Sequence, residues 1–370
     1  MKYDWVIVGA GLTGATLAER LASQRGARVL VVERRRHLAG NAYDHPNPEG
    51  LLVHRYGPHI FHTQSREVFD YLSRFTAWRP YVHRVLAEIQ GRRVPLPFNL
   101  NTLHALYPRR LAERVEEKLV ARFGHGARVP ILKLKTADDP ELAELAAFVY
   151  QNVFLGYTRK QWGLAPEELD PAVTGRVPVV VARDDRYFAD PYQALPAEGY
   201  TRMVERMLAH PRIHLLLGAD FKEIEGELRF DRLIYTGPID AFFDYLHGPL
   251  PYRSLRFVWA THRTPAVQPV AVINYPNEHP FTRTTEYKHL TGQESPFTAI
   301  SYEYPEAHEP GRNEPYYPIP REENRLRYRA YQKEAQKLKH VFFAGRLADY
   351  RYYNMDQAVA RALKLFRELP

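Results

Sequence analysis

The first 41 residues constrain this chain more than any other stretch. Tyr3-Asp4-Trp5-Val6-Ile7-Val8 reads as an apolar strand, and Gly9-Ala10-Gly11-Leu12-Thr13-Gly14 as a glycine turn. The run to Ala22 reads as a helix, and Ala27-Arg28-Val29-Leu30-Val31-Val32-Glu33 as a second strand ending in an acid. That order builds a dinucleotide pocket. Gly9 permits the tight turn, Gly11 lets the backbone approach a pyrophosphate, and Gly14 lets the helix pack close to the strand. The helix start offers N–H groups and the positive end of a dipole to phosphates. Glu33 follows Gly14 by 19 positions, where a carboxylate accepts hydrogen bonds from a ribose.

Glu33 suits an unphosphorylated adenosine ribose, which disfavours NADP and leaves NAD and FAD. The basic stretch Arg34-Arg35-Arg36 and a second small-residue turn, Ala39-Gly40-Asn41-Ala42, follow at once. The chain leaves the βαβ pattern by residue 50, where an NAD enzyme would enter another unit. These features favour FAD. Near the end, Val341-Phe342-Phe343-Ala344-Gly345-Arg346 reads as a strand entering a small-residue turn, and Asn354–Leu369 as a final helix. The cofactor domain is therefore expected to be discontinuous.

At 370 residues the chain exceeds one ordinary core, so two or three domains are expected. No apolar run reaches 18 residues, and the N-terminus enters a strand with no room for a signal peptide. Cysteine is absent, which excludes disulfides and thiolate catalysis and suits a cytoplasmic protein. The net charge of +8 fits an anionic substrate and cofactor better than nucleic acid, because the arginines are scattered among aromatics. Tyrosines outnumber phenylalanines, 25 to 18, which suits a wet cleft for sugars and bases.

Along the chain, residues 81–98 read as a hairpin turning at Gly91. Residues 102–123 and 138–155 read as helices, with Pro108 breaking or starting one. Residues 201–209 and 323–338 are further helices, 212–236 are strand segments, and 252–303 are antiparallel strands. His59 and His62 lie three apart beside a Gly-Pro turn, but no third ligand is spaced to complete a metal site, so no metal is expected. The expected class is α/β with mixed α+β insertions. A discontinuous Rossmann-like FAD-binding domain (1–78, 196–240, 338–370) joins a helical insertion with a mobile loop (100–175) and an antiparallel-sheet substrate domain (79–99, 176–195, 241–337).

Several segments taken together resemble the bacterial UDP-galactopyranose mutases over nearly the whole chain. They are Gly40-Asn41-Ala42-Tyr43, Tyr56-Gly57-Pro58-His59-Ile60-Phe61-His62-Thr63, Pro97-Phe98-Asn99-Leu100, Gly156-Tyr157-Thr158-Arg159-Lys160-Gln161-Trp162-Gly163, and Gly345-Arg346-Leu347 through Tyr352, Asn354, Met355 and Asp356. The resemblance implies an isomerase that interconverts UDP-galactopyranose and UDP-galactofuranose without net redox change. In that family N5 of reduced FAD attacks the anomeric carbon as UDP leaves. A product used for cell-envelope polysaccharide, a cytoplasmic homodimer and no membrane span go with it. An amine-oxidase-like FAD oxidoreductase is the alternative, since fold does not fix chemistry.

The resemblance also implies roles. Arg176, on a mobile loop, and Arg283 match pyrophosphate-facing arginines, and Tyr187, Tyr317 and Tyr352 match tyrosines on the phosphates. Phe154 and Tyr157 match aromatics around the uracil, with Thr158 and Phe188 beside the substrate. Trp162 matches a mobile-loop tryptophan near the sugar, and its polar neighbours argue against a core position. Asn274 matches a uridine or sugar contact, Arg346 an arginine by flavin and sugar, and His62 a histidine beside the flavin. Arg176, Arg283, Arg346 and His62 are the catalytic candidates, and His83 sits where relatives carry asparagine or histidine. Cofactor positions are Gly9, Gly11, Leu12, Thr13, Gly14, Glu33, Arg34, Gly40, Asn41, His59, Ile60, Gly345, Arg346, Asn354, Met355, Asp356 and Ala358. Two departures stand out. Asn354 replaces a frequent aspartate, and Ala39 a frequent glycine, so the second turn is expected to differ slightly. Gly156, Gly163 and Gly175 suggest irregular backbone over 157–190 that closes on substrate.

Overall fold

A computed structural model describes residues 1–170 and 177–370. The chain forms two compact units, one of residues 1–81, 190–254 and 308–370, the other of 82–189 and 255–307. Arg176 and Gly175 lie outside the described residues.

The first unit is built on a five-stranded sheet in the order Ile213–Leu217, Val29–Glu33, Lys2–Val8, Arg229–Tyr235, Val341–Phe343. Every neighbouring pair is parallel. All five residues of Val29–Glu33 are buried, as expected of a central strand covered on both faces. The helix Leu12–Arg25 makes the first crossover and ends at Gly26, whose φ of 63° closes the left-handed cap. The helices Tyr200–Leu208 and Met355–Glu368 pack on it. Arg25 fixes the last turn of the terminal helix through the carbonyls of Phe366, Leu369 and Pro370. A small antiparallel sheet orders Phe61–Thr63, Tyr192–Pro196 and Trp78–Pro80. Asp44 is buried and accepts from the N–H groups of Tyr200 and Thr201, which starts the helix Tyr200–Leu208.

The second unit centres on a sheet in the order Tyr252–His262, Thr298–Ala307, Arg283–Glu286, Val272–Asn274, Val85–Ile89, Arg92–Leu96, the first of these strands entering from the other unit. The hairpin over 81–98 forms as expected, Val85–Ile89 against Arg92–Leu96. The expected antiparallel sheet is mixed, because Val272–Asn274 runs parallel to Val85–Ile89. A parallel pair needs a long crossover rather than a tight turn, and here the chain makes one through its helices. The helical stretch belongs to this unit and is not a body of its own. Pro108 splits the expected helix 102–123 into Leu100–Leu106 and Arg109–Phe123.

The larger surprise follows Pro140–Val149. The helix does not stop at 155 but passes through a π-helical turn, Tyr150–Leu155, into the α-helix Gly156–Trp162, and ends at Gly163 with φ 70°. The backbone from Gly156 to Trp162 is thus helical rather than irregular, and only the described residues from 164 to 190 run mostly as turns and loop.

Candidate active site

In the first unit the glycines of the N-terminal turn do separate jobs. Gly9 has φ 104°, and a Cβ there would lie 2.1 Å from the Thr236 Oγ1. A Cβ on Gly14 would lie 2.0 Å from the Gly9 carbonyl oxygen, so only glycine lets the helix sit this close. The nearest atom to a Cβ on Gly11 is the Gly40 Cα at 3.8 Å, which sets the two small-residue turns face to face at the helix N-terminus. Ala39 takes the left-handed conformation after all, with φ 69°. Its N–H donates to the Ala10 carbonyl at 3.0 Å and it is buried, so the surroundings impose the conformation at a cost of about 1 kcal/mol.

Glu33 is buried, and its two oxygens accept from the N–H groups of Ala10 and Arg35, each at 2.9 Å. A carboxylate has further lone pairs for ribose hydroxyls. Arg34 pairs with Glu314, and Arg35 reaches the same carboxylate at 2.7 Å and the Asn41 Oδ1 at 3.0 Å. Burial pushes the Glu314 carboxyl up, but Arg35 and Arg34 outweigh it and hold it below the usual range. Leu12 and Thr13 are buried, and Gly345, with φ 114°, approaches Thr13. This cradle fits a dinucleotide: free space above Gly11, a buried acid at the ribose end, and a 14-residue helix whose first turn faces the glycines.

At the other end of the unit, Asn354 precedes the terminal helix, its N–H donating to the Gln357 Oε1 at 3.0 Å and its carbonyl accepting from Ala358 at 3.0 Å. Asp356, beside Met355 in that first turn, accepts from the Thr63 Oγ1 at 2.9 Å. Burial pushes the His54 imidazole down to about 3, so it stays neutral, and its Nδ1 accepts from the His59 N–H at 3.0 Å. That bond shapes the His59-Ile60 turn leading to His62. The His62 Nδ1 lies 2.7 Å from the Asp190 Oδ2. Arg346 donates to the Tyr353 carbonyl through Nε at 3.2 Å and Nη2 at 2.6 Å. Its guanidinium carbon sits 5.6 and 5.5 Å from the ring centroids of Tyr317 and Tyr352, which meet edge to face at 4.9 Å.

In the second unit, Asn274, Arg283 and Glu303 are register partners across three neighbouring strands. Nε and Nη2 of Arg283 both approach the Glu303 Oε2 at 2.8 Å. The Glu303 side chain is 2% exposed and that of Arg283 24%. The Asn274 Oδ1 is buried and finds no hydrogen-bond partner among the described residues. His83 is buried, its carbonyl accepts from the Tyr187 N–H at 2.8 Å, and its ring stacks on Phe188 with centroids 5.7 Å apart. Asn99 caps the helix Leu100–Leu106 at Thr102 and binds the Asp184 carbonyl and Asp185 carboxylate at 3.0 and 2.9 Å, so it anchors the segment carrying Tyr187.

Phe154, Thr158 and Trp162 are buried, and Tyr157 is half-buried. Trp162 is 6% exposed, against expectation. On a helix, Thr158, Gln161 and Trp162 share one face while Arg159 points outward, so polar neighbours in sequence do not make a polar neighbourhood. A Cβ on Gly156 would lie 2.4 Å from the Pro276 carbonyl oxygen, and the Asn277 Nδ2 donates to the Asn152 carbonyl at 3.1 Å within the π turn. Gly156→Ala tests this contact by its sign. In an open helix alanine would stabilise by about 1 kcal/mol. Against Pro276 it is expected to destabilise by about 1–3 kcal/mol, read by urea denaturation.

Sequence reasoning missed Glu303, Asp190, Glu314 and Thr236. Glu303 left one signal, an acid between two tyrosines, Tyr302 and Tyr304, in the strand Thr298–Ala307, which demands a partner if it is buried. Asp190 left none, being 128 positions from His62. No group of three or more His, Cys, Asp or Glu among the described residues could hold a metal ion, and no helix among them is long and apolar enough to cross a membrane.

Comparison with known proteins places these features. The profile of the family described as UDP-galactopyranose mutase matches residues 152–352, and that of the NAD(P)-binding Rossmann-like domain matches residues 7–75. The chain is 38% identical to a probable UDP-galactopyranose mutase of Klebsiella pneumoniae, covering 97% of this chain and 92% of the relative. It is 33% identical to a dTDP-fucopyranose mutase of Escherichia coli, covering 97% and 96%. Among solved structures, reduced UDP-galactopyranose mutase superimposes with a TM-score of 0.76 at 18% identity, over 100% of this chain and 94% of that one, a likeness of fold.

Proposed function

The chain belongs to the UDP-galactopyranose mutase family, and from that premise we propose that it interconverts UDP-galactopyranose and UDP-galactofuranose with reduced FAD as cofactor. The observation that carries the proposal is the fixed guanidinium of Arg283, held by buried Glu303 in register with Asn274. A leaving diphosphate needs such a preset cation.

FAD would be held by the two glycine turns, with Glu33 available to its adenosine ribose and the start of the terminal helix to its flavin end. Bound and reduced, it supplies an electron-rich nucleophile for the anomeric carbon. The protein's residues orient substrate and stabilise charge. Arg283 and Arg176 grip the diphosphate, and Tyr187, Tyr317 and Tyr352 donate hydroxyl hydrogen bonds to it. Arg346 presents Tyr352 beside Tyr317, since its forked donors hold the Tyr353 carbonyl next to Tyr352 and its guanidinium lies against both rings. Phe154 and Tyr157 flank the base, with Thr158 and Phe188 adjoining. The buried amide oxygen of Asn274 suits a donor such as a pyrimidine imide N–H. Trp162, His83 and Asn354 border the sugar. An amine-oxidase-like reaction would share only the cofactor fold. The proposal extends to a cytoplasmic homodimer serving cell-envelope polysaccharide, and to closure of the 157–190 segment over substrate.

The similarity to a dTDP-fucopyranose mutase makes that sugar nucleotide the second substrate to test. UDP-galactofuranose and dTDP-fucofuranose are incubated with dithionite-reduced and with air-oxidised protein, and products are separated by chromatography. Turnover of UDP-galactofuranose in the reduced state only is expected. Faster turnover of dTDP-fucofuranose reassigns the substrate, and no turnover in either state rejects the mutase.

A further inference from the structure

We propose that Asp349, paired with Arg361 of the terminal helix, is a positioning residue that sets the Tyr352 hydroxyl for the diphosphate, an inference that rests on the mutase reading above. Tyr352 sits on the segment that joins the strand Val341–Phe343 to the helix Met355–Glu368. Residues 344–354 run as turn and loop, with no strand ladder or helix to fix them. A hydroxyl that must meet a phosphate oxygen to within about 0.5 Å needs its backbone held by other means.

Asp349 supplies that hold. Its N–H donates to the Gly345 carbonyl at 2.8 Å, and its Oδ2 accepts from the Gly345 N–H at 3.0 Å, which closes the turn on itself. Arg361 ties the closed turn to the terminal helix. Its Nε donates to the Asp349 Oδ2 at 3.1 Å and its Nη2 to Oδ1 at 3.3 Å, while Nη2 also donates to the Phe343 carbonyl at 3.1 Å. One guanidinium thus holds the end of the strand and the turn after it against a single helix. The Arg361 and Asp349 side chains are 24% and 15% exposed, so water competes little for the pair.

The hold passes on to Tyr352. Burial first, and the Asp349 carboxylate next, push the Tyr353 phenol up to about 12, so it stays neutral beside that carboxylate. The Tyr353 carbonyl is the one that Arg346 grips, and the Arg351 N–H donates to the Arg346 carbonyl at 3.0 Å. The chain therefore doubles back, and Tyr352 is bracketed on both sides. Tyr350 has a φ of 45°, a left-handed conformation that persists in a tyrosine only where its surroundings impose it. Those surroundings are the Asp349 turn before it and the Pro251 carbonyl, which accepts from its hydroxyl at 2.6 Å.

The arrangement asks for a carboxylate at 349. Three N–H donors converge on it, and a group that only accepts can meet all three. An amide has one acceptor oxygen and would set its own N–H against another. Asp349→Asn therefore keeps the size and loosens the turn.

The test measures UDP binding to oxidised, FAD-loaded protein by isothermal titration, in wild type, Asp349→Asn, Tyr352→Phe and the double variant. Asp349→Asn and Tyr352→Phe are each expected to weaken UDP about 10-fold at unchanged flavin content. The double variant should bind within about twofold of Tyr352→Phe, because the hydroxyl that Asp349 positions is already gone. An Asp349 that served stability alone would lower the melting temperature and leave the UDP affinity of the folded protein unchanged. Additive losses in the double variant, or wild-type UDP affinity in Asp349→Asn, overturn the proposal. If Asp349→Asn sheds FAD, the same cycle is run with Arg361→Lys, which keeps the charge and loses the fork, and additivity there overturns it equally. Wild-type protein that holds FAD but binds no UDP defeats the mutase reading instead.

Discussion

Arg283→Ala is expected to keep its flavin and lose its turnover. Each charge-assisted contact to a diphosphate contributes about 1.5–3 kcal/mol. A forked guanidinium makes two, so kcat/KM should fall about 10²- to 10⁴-fold. The variant has a side effect that the structure makes explicit. Glu303 is 2% exposed and loses its counter-charge, which typically costs about 3–5 kcal/mol. The double variant Arg283→Ala/Glu303→Gln removes that cost and isolates the catalytic loss. If the double variant melts like wild type and still turns over at more than a tenth of its rate, Arg283 is not the diphosphate clamp. Flavin absorbance in both variants confirms that the cofactor unit is intact.

The second large effect is at Gly14. A methyl there would meet the Gly9 carbonyl oxygen at 2.0 Å and the Ile7 Cγ2 at 3.3 Å. Neither neighbour can yield cheaply, because one is backbone in the turn and the other is buried in the central strand. Gly14→Ala must therefore lift the helix off the strand, at about 1–3 kcal/mol, and carry its first-turn N–H groups away from the phosphates. FAD affinity is expected to fall roughly 100-fold, the equivalent of about 2.8 kcal/mol, so that the protein purifies without flavin absorbance. Gly226→Ala is the control, since nothing lies within 4 Å of a Cβ there and its φ is ordinary. Yellow Gly14→Ala protein with wild-type FAD affinity would show that the helix has slack that this packing denies.

The cofactor half of this arrangement is legible in the sequence because local rules dominate it. Turn glycines, a periodic helix and an acid at fixed spacing act over some thirty residues, and the structure realises each. Beyond that reach the sequence misleads in specific ways. Trp162 reads as exposed when its chain neighbours are counted, but helical spacing rather than adjacency decides what surrounds it. Gly156 reads as the start of irregular backbone, although it is a helical contact point against Pro276. Val272–Asn274 reads as one more antiparallel strand, yet its partner lies some 185 positions earlier and runs the same way. Asp190, 128 positions from His62, is invisible for the same reason. It is defined by what it touches across the fold, and pairing over such a distance leaves no periodic trace.

The order of strands in the five-stranded sheet has a consequence for biogenesis. The earliest-made strand, Lys2–Val8, lies at the middle of that sheet, and one of its two flanking partners, Arg229–Tyr235, is translated more than two hundred codons later. The remaining edge strand, Val341–Phe343, emerges later still, with Gly345 and the terminal helix behind it. A nascent chain can shape its first turn and helix on the ribosome, but it must hold an unfinished, apolar sheet open throughout elongation. Completion of the FAD cradle therefore waits until Gly345 and the helix after it have been made, and a chain stopped upstream of these segments presents an apolar sheet face suited to chaperones and proteases.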